Sequence, residues 1–411
     1  MKRAFMKEPA REIPVTGSYD VIVAGGGIAG VAAAVAAARQ GANVCLLERT
    51  FSLGGLATIG NVAEYLPLCD GKGRQVSAGL ALELAELAVS DLGNDNQKAG
   101  FVGVPACWRA GGDREDRSRT RFAVRFNPFS YQFHLEKLVL SSGIRLLYDT
   151  RVCGAARKGS AVSHVVVENK SGRSALACRT VVDATGDADI CFLAGEKTES
   201  LDSNVPCGWF YYLSPEGFAL QPFTIHFSAT GEKEGDGPFF RGDDADDVTS
   251  LMVESRRAIE KKLAQIRAKF PGADIQLIAA PTLACFRMTR RLVSDFSLGK
   301  EHMHQWFEDT VGIIADWRRP GPVYAIPLRC LAGSVNANLL AAGRCISADR
   351  TSWDATRAIA PCAVTGEAAG VAAALAARTA GGDLRQLSIP LLQERLKTQG
   401  VLLDPQLALP A

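Results

Sequence analysis

An α/β fold is predicted by three features of this 411-residue chain. Two apolar runs, one near each end, stop at a glycine turn and are followed by alanine-rich helical stretches. Short β-branched runs lie between them, as expected of a sheet. The length exceeds one ordinary core, which favours two interleaved domains or one large α/β unit.

In chain order, "YDVIVAGGGIAGVAAAVAAARQGANVCLLER" reads as a buried strand, a glycine turn, a helix and a second strand ending at Glu48. Gly25, Gly27 and Gly30 have GxGxxG spacing, and the strand-turn-helix order around them is the context that makes it a dinucleotide site. Gly25 is expected to form the tight turn, Gly27 to admit a pyrophosphate beside the backbone, and Gly30 to let helix and strand pack closely. Ile28 and Ala29 open the helix, so phosphates would face its amides and the positive end of its dipole. Glu48 stands where a carboxylate accepts hydrogen bonds from ribose hydroxyls and repels a 2′-phosphate, which disfavours NADP. Next, "RTFSLGGLAT" brings Arg49, then Gly54 and Gly55 before Leu56, a second close backbone approach to an extended cofactor. These residues alone leave FAD and NAD both open.

Further along, "SYQFHLEKLVLSSG" has helical spacing closed by Gly143, and "IRLLYDTRV", "AVSHVVVEN" and "ACRTVVDATGD" read as three successive strands returning to the larger sheet. Two charged, glycine-containing stretches, Ala110 to Arg121 and Gly231 to Asp247, read as solvated excursions, with a lid over a site as the sharper alternative. Thr249 to Phe270 has the pattern of an amphipathic helix stopped by Pro271 and Gly272, and "DIQLIAAPTLACF" reads as extended. Finally "NLLAAG" is a short buried strand released by Gly343. "APCAVTGEAAGVAAALAAR" is a small-residue helix whose N-terminus suits charge developing on a reduced cofactor.

Taken together, the acid followed by a Gly-Gly turn, the "DATGD" strand end, "RMTRRLVSDFSL", "YAIPLRCL" and the late "NLLAAGRCISADR" segment resemble the flavoprotein superfamily of glutathione reductase and succinate dehydrogenase. Within it, the chain is similar to a bacterial group described as FAD-dependent oxidoreductases, some of them linked to carbohydrate breakdown. The resemblance is strong over residues 18–60, 178–190 and 285–378. It implies a Rossmann-like FAD/NAD(P)-binding fold of the three-layer ββα type with an inserted α+β substrate-covering domain, FAD as cofactor, and redox chemistry. The FAD-binding parts are then 17–195, with an insertion at about 60–128, and 329–411; the covering domain is 196–328. By the same resemblance, cofactor contacts fall on Val152, Ala184, Thr185, Gly186, Asp187, Gly343, Arg344, Thr365 and Gly366.

The activity implied is hydride transfer between a small molecule and flavin N5, with carbohydrates and hydroxy or carboxylic acids among the substrates admitted. Flavin monooxygenases carry Gly-Asp and a later histidine where this chain has Gly343-Arg344-Cys345, so a dehydrogenase or reductase is favoured. No spaced tryptophan pair precedes the Ile-Pro of "YAIPL", which disfavours a halogenase. Two alternatives stay open: a thiazole-synthase-like enzyme using a nucleotide as reactant, and a flavin-binding subunit without turnover. One departure from the group lies at Asp316-Trp317-Arg318-Arg319, where its members often have an Asp near a His; the arginines suit a carboxylate or phosphate, or an exposed loop.

Hydride transfer needs a proton acceptor near the donor carbon. Candidates for the catalytic groups are His226 on a probable strand, Arg287, Arg350, Asp354 beside Trp353, and Arg357. Cys362 at the start of the late helix suits packing, and His302 with His304 lack a third metal ligand.

Composition narrows the partners. A net charge of +2 offers no field for nucleic acid or an anionic membrane, which leaves small molecules. The 11 scattered cysteines, without a CxxC pair, fit reduced thiols in a cytoplasm. The charged, proline-broken "MKRAFMKEPAREIPVTG" lacks a signal-peptide core. Val21 to Ala38 is as long as a membrane span, but three consecutive glycines break it, so no membrane insertion is expected.

Overall fold

The structure is a computed structural model that describes residues 6–92, 100–224, 228 and 230–411. Strand β1 (Val15–Ala24) runs into helix α1 (Ile28–Arg39), and β2 (Val44–Leu47) follows. Helix α2 (Leu80–Ala88) and helix α3 (Pro128–Ser141) precede β3 (Arg145–Leu147), β4 (Arg151–Lys158), β5 (Ala161–Asn169) and β6 (Gly172–Asp183). After a long excursion containing α4 (Ala245–Lys269), the chain returns through β7 (Leu339–Ala341) to α5 (Ile359–Thr379).

The main sheet has the parallel order β3-β2-β1-β6-β7. Its parallel strands read as unbroken apolar runs because both faces are covered. Along β1, Val21 and Val23 enter the core beneath α1 and α5, while Ile22 and Ala24 enter a second core on the opposite face. That second core is covered by β4 and β5, which continue antiparallel from the first half of β6. Helices, parallel sheet and antiparallel strands therefore form the three layers expected. Where one strand was read in "IRLLYDTRV", there are two, β3 and β4, because Asp149 takes a positive φ of 49° and turns the chain.

The tightest contact is between α1 and α5. A Cβ on Gly366 would lie 2.2 Å from the Ala29 carbonyl oxygen, and one on Gly370 would lie 2.1 Å from that of Ala33. The two helices meet backbone on backbone at these points because the facing residues, Ala29 with Gly366 and Ala33 with Gly370, are Ala and Gly. Helix α5 has the length and apolarity of a membrane span, yet 94% of its most apolar window is buried inside the fold, as a core helix requires.

Within the excursion, strands Trp209–Ser214, Gly217–Pro222 and Gln276–Ala279 form an antiparallel sheet. The sheet packs on α4 around Phe210, Phe223, Ile259, Leu263 and Ile266. Asp244 caps α4 through the amides of Asp246 and Asp247. The later hairpin, Thr310–Ala315 with Val323–Pro327, instead sends Val311, Ile314, Tyr324 and Ile326 into the main core. The last part of the 196–328 segment is thus packed with the nucleotide-binding layers rather than with α4.

Helix α5 also carries a buried carboxyl, Glu367, whose Oε2 accepts the Leu80 amide at 2.8 Å at the start of α2. Burial pushes its pKa up from 4.5 to about 8. The unfolded chain ionises first, so Glu367 contributes stability below about pH 4.5 that is lost as pH rises through about 8.

Two outcomes are expected. Gly366→Ala costs about 1–3 kcal/mol in urea unfolding by overpacking the crossing, while Gly103→Ala, which meets only an arginine tip at 3.9 Å, stays within about 0.5 kcal/mol. Glu367→Gln, which keeps an acceptor for Leu80, raises stability at pH 8 by an amount on the order of a few kcal/mol and flattens the loss between pH 5 and 8; an unchanged pH profile would refute this.

Candidate functional site

The ends of β1, β2, β6 and β7 converge at one cavity of about 560 Å³. At the end of β1, Gly25 has a φ of +98°, and a Cβ there would sit 2.4 Å from the Ala184 oxygen at the end of β6. Gly30 presses against the same turn, its absent Cβ only 1.7 Å from the Gly25 oxygen. Gly27 differs: no atom lies within 4 Å of where its Cβ would be, and it lines the cavity at the uncapped N-terminus of α1. The first two glycines are required by protein backbone, and the third leaves room for a ligand against helix amides.

Glu48 is buried at the cavity wall, and both its oxygens are already engaged. Oε2 accepts the Gly26 amide at 2.7 Å, while Oε1 accepts the Thr50 amide and hydroxyl, each at 2.7 Å. The acid expected for the ribose thus also shapes the turn, and Oε2, with one protein donor, keeps acceptor capacity for a ligand. The Gly54 amide donates to the Gly26 carbonyl at 2.8 Å, and Gly55, at φ +55°, stacks on Gly27. Ile28, Ala29, Arg49, Leu56 and Val152 line the same stretch.

From β6, Ala184, Thr185 and Gly186 reach the cavity, while Asp187 stays behind it. The segment is organised by Asp183, which sequence reasoning passed over. This fully buried carboxyl accepts the Thr185 amide and hydroxyl and the Cys191 amide, and burial pushes its pKa up. Asp187 in turn lies 3.5 Å from Arg344 and 3.9 Å from Arg49, tying the middle motif to the turns after β7 and β2. Asp189, at the wall, pairs with Arg290 at 2.6 Å; burial and its acidic neighbours Asp187 and Asp183 raise its pKa to about 6 despite that pair.

After β7, Gly343 has a φ of +78°, and a Cβ there would sit 2.7 Å from the Ala29 Cβ at the start of α1. Its amide donates to the Thr365 hydroxyl at 2.9 Å, so Thr365 holds the turn without lining the cavity. Gly366 does not line it either, because it is spent on the α1 crossing. Arg344 lines the wall and donates to the Phe286 carbonyl at 2.6 Å. Ala358, Ile359 and Cys362 bring the N-terminus of α5 to the cavity, where burial pushes the Cys362 thiol up to about 12.

The catalytic candidates separate. Arg287 and Arg357 line the cavity. Asp354 is fully buried behind Arg357, with which it forms an ion pair. Arg350 points away, paired with Glu199 and Glu232, and is withdrawn from the site by that geometry. His226 lies outside the described residues. Arg318 is forked on Asp316 with both contacts at 2.8 Å, so it holds an internal carboxylate, whereas Trp317 reaches the cavity. Cys207, Gly208, Trp209, Leu283 and Cys285 line the cavity as well, as do Glu64 and Phe192. No spacing in the chain signals these residues, since tertiary packing alone assembles them.

The chain matches the profile of the family described as FAD dependent oxidoreductase over residues 20–206 and 210–396. It is 38% identical over 72 residues to thioredoxin reductase of Ureaplasma parvum serovar 3, a match covering 18% of this chain and 23% of that protein. Among solved structures, a geranylgeranyl bacteriochlorophyll reductase-like protein of Thermoplasma acidophilum is similar over 93% of this chain and 83% of its own, with a TM-score of 0.43 and 14% identity. The Sdh1 complex of Mycobacterium smegmatis gives 0.45 and 14%, over 88% of this chain and 69% of that one.

The open space at Gly27 makes a distinct forecast. Gly27→Ala adds a methyl group that meets no protein atom at an ordinary φ of −65°, so thermal stability of the flavin-free protein is expected to stay the same. The methyl group occupies ligand space, so the flavin absorbance retained per protein on purification falls at least tenfold. Undiminished flavin content would place the cofactor elsewhere.

Proposed function

Because the chain belongs to the FAD dependent oxidoreductase family, we propose that it transfers a hydride between a small-molecule substrate and flavin N5, as a dehydrogenase or reductase. FAD is its cofactor, and the cavity fits that group: an open glycine turn at the α1 N-terminus for the pyrophosphate, Glu48 for the ribose, and the α5 N-terminus at the other end. When bound, FAD supplies the two-electron acceptor. The single observation that carries the reading is the continuity of this cavity from the first glycine turn to a chamber walled by Trp209, Leu283 and Arg287. The excursion that contributes those residues covers the substrate and excludes water in this reading.

Removal of a hydride from a hydroxyl-bearing carbon requires a group to take the hydroxyl proton. Among the described lining residues, Glu48 is tied to three donors and Asp189 to Arg290. Burial pushes the Cys285 and Cys362 thiols up. Glu64 is half-exposed, 3.7 Å from Arg125, and lines the wall. Glu64 is therefore the proton acceptor in this reading, ahead of Asp354, whose carboxylate is committed to Arg357.

Anaerobic mixing of the purified yellow protein with panels of sugars, hydroxy acids and amines is expected to bleach the flavin absorbance with at least one class. Glu64→Gln is expected to slow that bleaching by about 10²–10⁴-fold with flavin content unchanged. A colourless protein, or one that bleaches with no member of the panel, refutes hydride transfer from these classes; unchanged bleaching in the variant removes Glu64 alone.

A further inference from the structure

Resting on the oxidoreductase reading, we propose that Arg287 and Arg357 form an anion-binding subsite that takes the carboxylate of a small substrate with an apolar body. Both arginines line the chamber beside Trp209, Leu283 and Trp317. They arrive from unrelated parts of the chain, Arg287 from within the excursion and Arg357 from the turn that precedes α5. Each is fixed by a contact that orients it. The Arg287 Nε donates to the Cys207 sulfur at 3.2 Å, and Arg357 is paired with Asp354.

The arrangement of charge supplies the second part of the case. Six arginines and three carboxylates line the whole cavity among the described residues, so its wall is positive before any ligand enters. The carboxylates that partner arginines at the chamber end lie behind the wall: Asp187 serves Arg344, and Asp354 serves Arg357. Asp354 is further neutralised by Arg318 at 3.9 Å, itself forked on Asp316. Arg344 and Arg357 therefore stand at the wall while their carboxylate partners stay behind it. Burial, joined by the repulsion of Arg287, lowers the Arg357 pKa from its ordinary value even against the attraction of Asp354. Two neighbouring cations in a poorly hydrated wall are stabilised by an anion between them, and planar guanidinium forks match a carboxylate. Trp209, Leu283, Trp317 and Ile359 then face the remainder of the molecule with apolar surface.

Isothermal titration of the flavin-loaded protein with benzoate and with its neutral isostere benzamide tests the subsite, and flavin absorbance is recorded in the same samples. Benzoate is expected to bind at least tenfold more tightly than benzamide. Arg287→Gln is expected to abolish that preference, while Arg287→Lys and Arg357→Lys, which keep charge but lose the fork, reduce it severalfold. Equal binding of the two probes by the wild type overturns the proposal, as does an unchanged preference in both lysine variants, which retain charge and volume if the glutamine variant fails to fold. Heat of binding is read independently of bleaching, so a protein that prefers benzoate yet is bleached by none of the sugars, hydroxy acids and amines would sink the hydride-transfer reading and leave the anion site standing.

Discussion

Backbone contact without intervening side chains is the constraint on which the rest of this structure depends. The ends of β1 and β6, the start of α1 and the middle of α5 all occupy a volume that admits no Cβ at Gly25, Gly30, Gly366 or Gly370. Close packing makes such contacts intolerant, since the neighbour is a carbonyl and cannot swing away as a side-chain tip can. With the backbones held at that distance, the open side of Gly27 becomes the floor of the cavity and the amides at the α1 N-terminus point into it. The same convergence brings β7 alongside β6, so the turn at Gly343 joins the cavity wall beside Ala29.

A second layer of polar contacts fixes what the glycines leave movable. Asp183, Glu48 and Thr365 each accept backbone amides of cavity turns, and Arg344 ties Asp187 to the loop that carries Phe286. Satisfied buried groups of this kind hold a loop in one conformation because releasing any partner leaves an unpaired polar atom in the interior. Charge is distributed along the cavity by the same logic: carboxylates sit on turns or behind arginines, and the arginines face inward at the chamber end.

Much of the nucleotide half was legible from local pattern. Gly25, Gly27, Glu48, Gly54 and Gly55 line one cavity and Gly30 packs against its turn, because a strand, a turn and a helix within forty residues leave few ways to fold. The late segment was legible as a strand, a turn and a helix, but the roles within it were not. Thr365 and Gly366 are adjacent in sequence, and only packing separates one as a support for Gly343 from the other as the contact point for α1. Arg350 has the same look in the sequence as Arg357, yet pairs with Glu199 and Glu232 away from the cavity. The strands at Trp209–Ser214 and Gly217–Pro222 went unread, since aromatic residues there alternate too weakly with polar ones to mark a face.

By itself the sequence determined the α/β class, the first glycine turn and the acid that follows it, because each of these is written within one strand-turn-helix unit. Tertiary structure alone decided which arginines meet the cavity, that Glu64 lies on its wall, and that Cys207, Trp209, Leu283 and Cys285 close it. The physical reason is distance along the chain: a chamber built from residues 64, 207–209, 283–287 and 357 exists only after the excursion folds back on α5, and no periodicity links its parts.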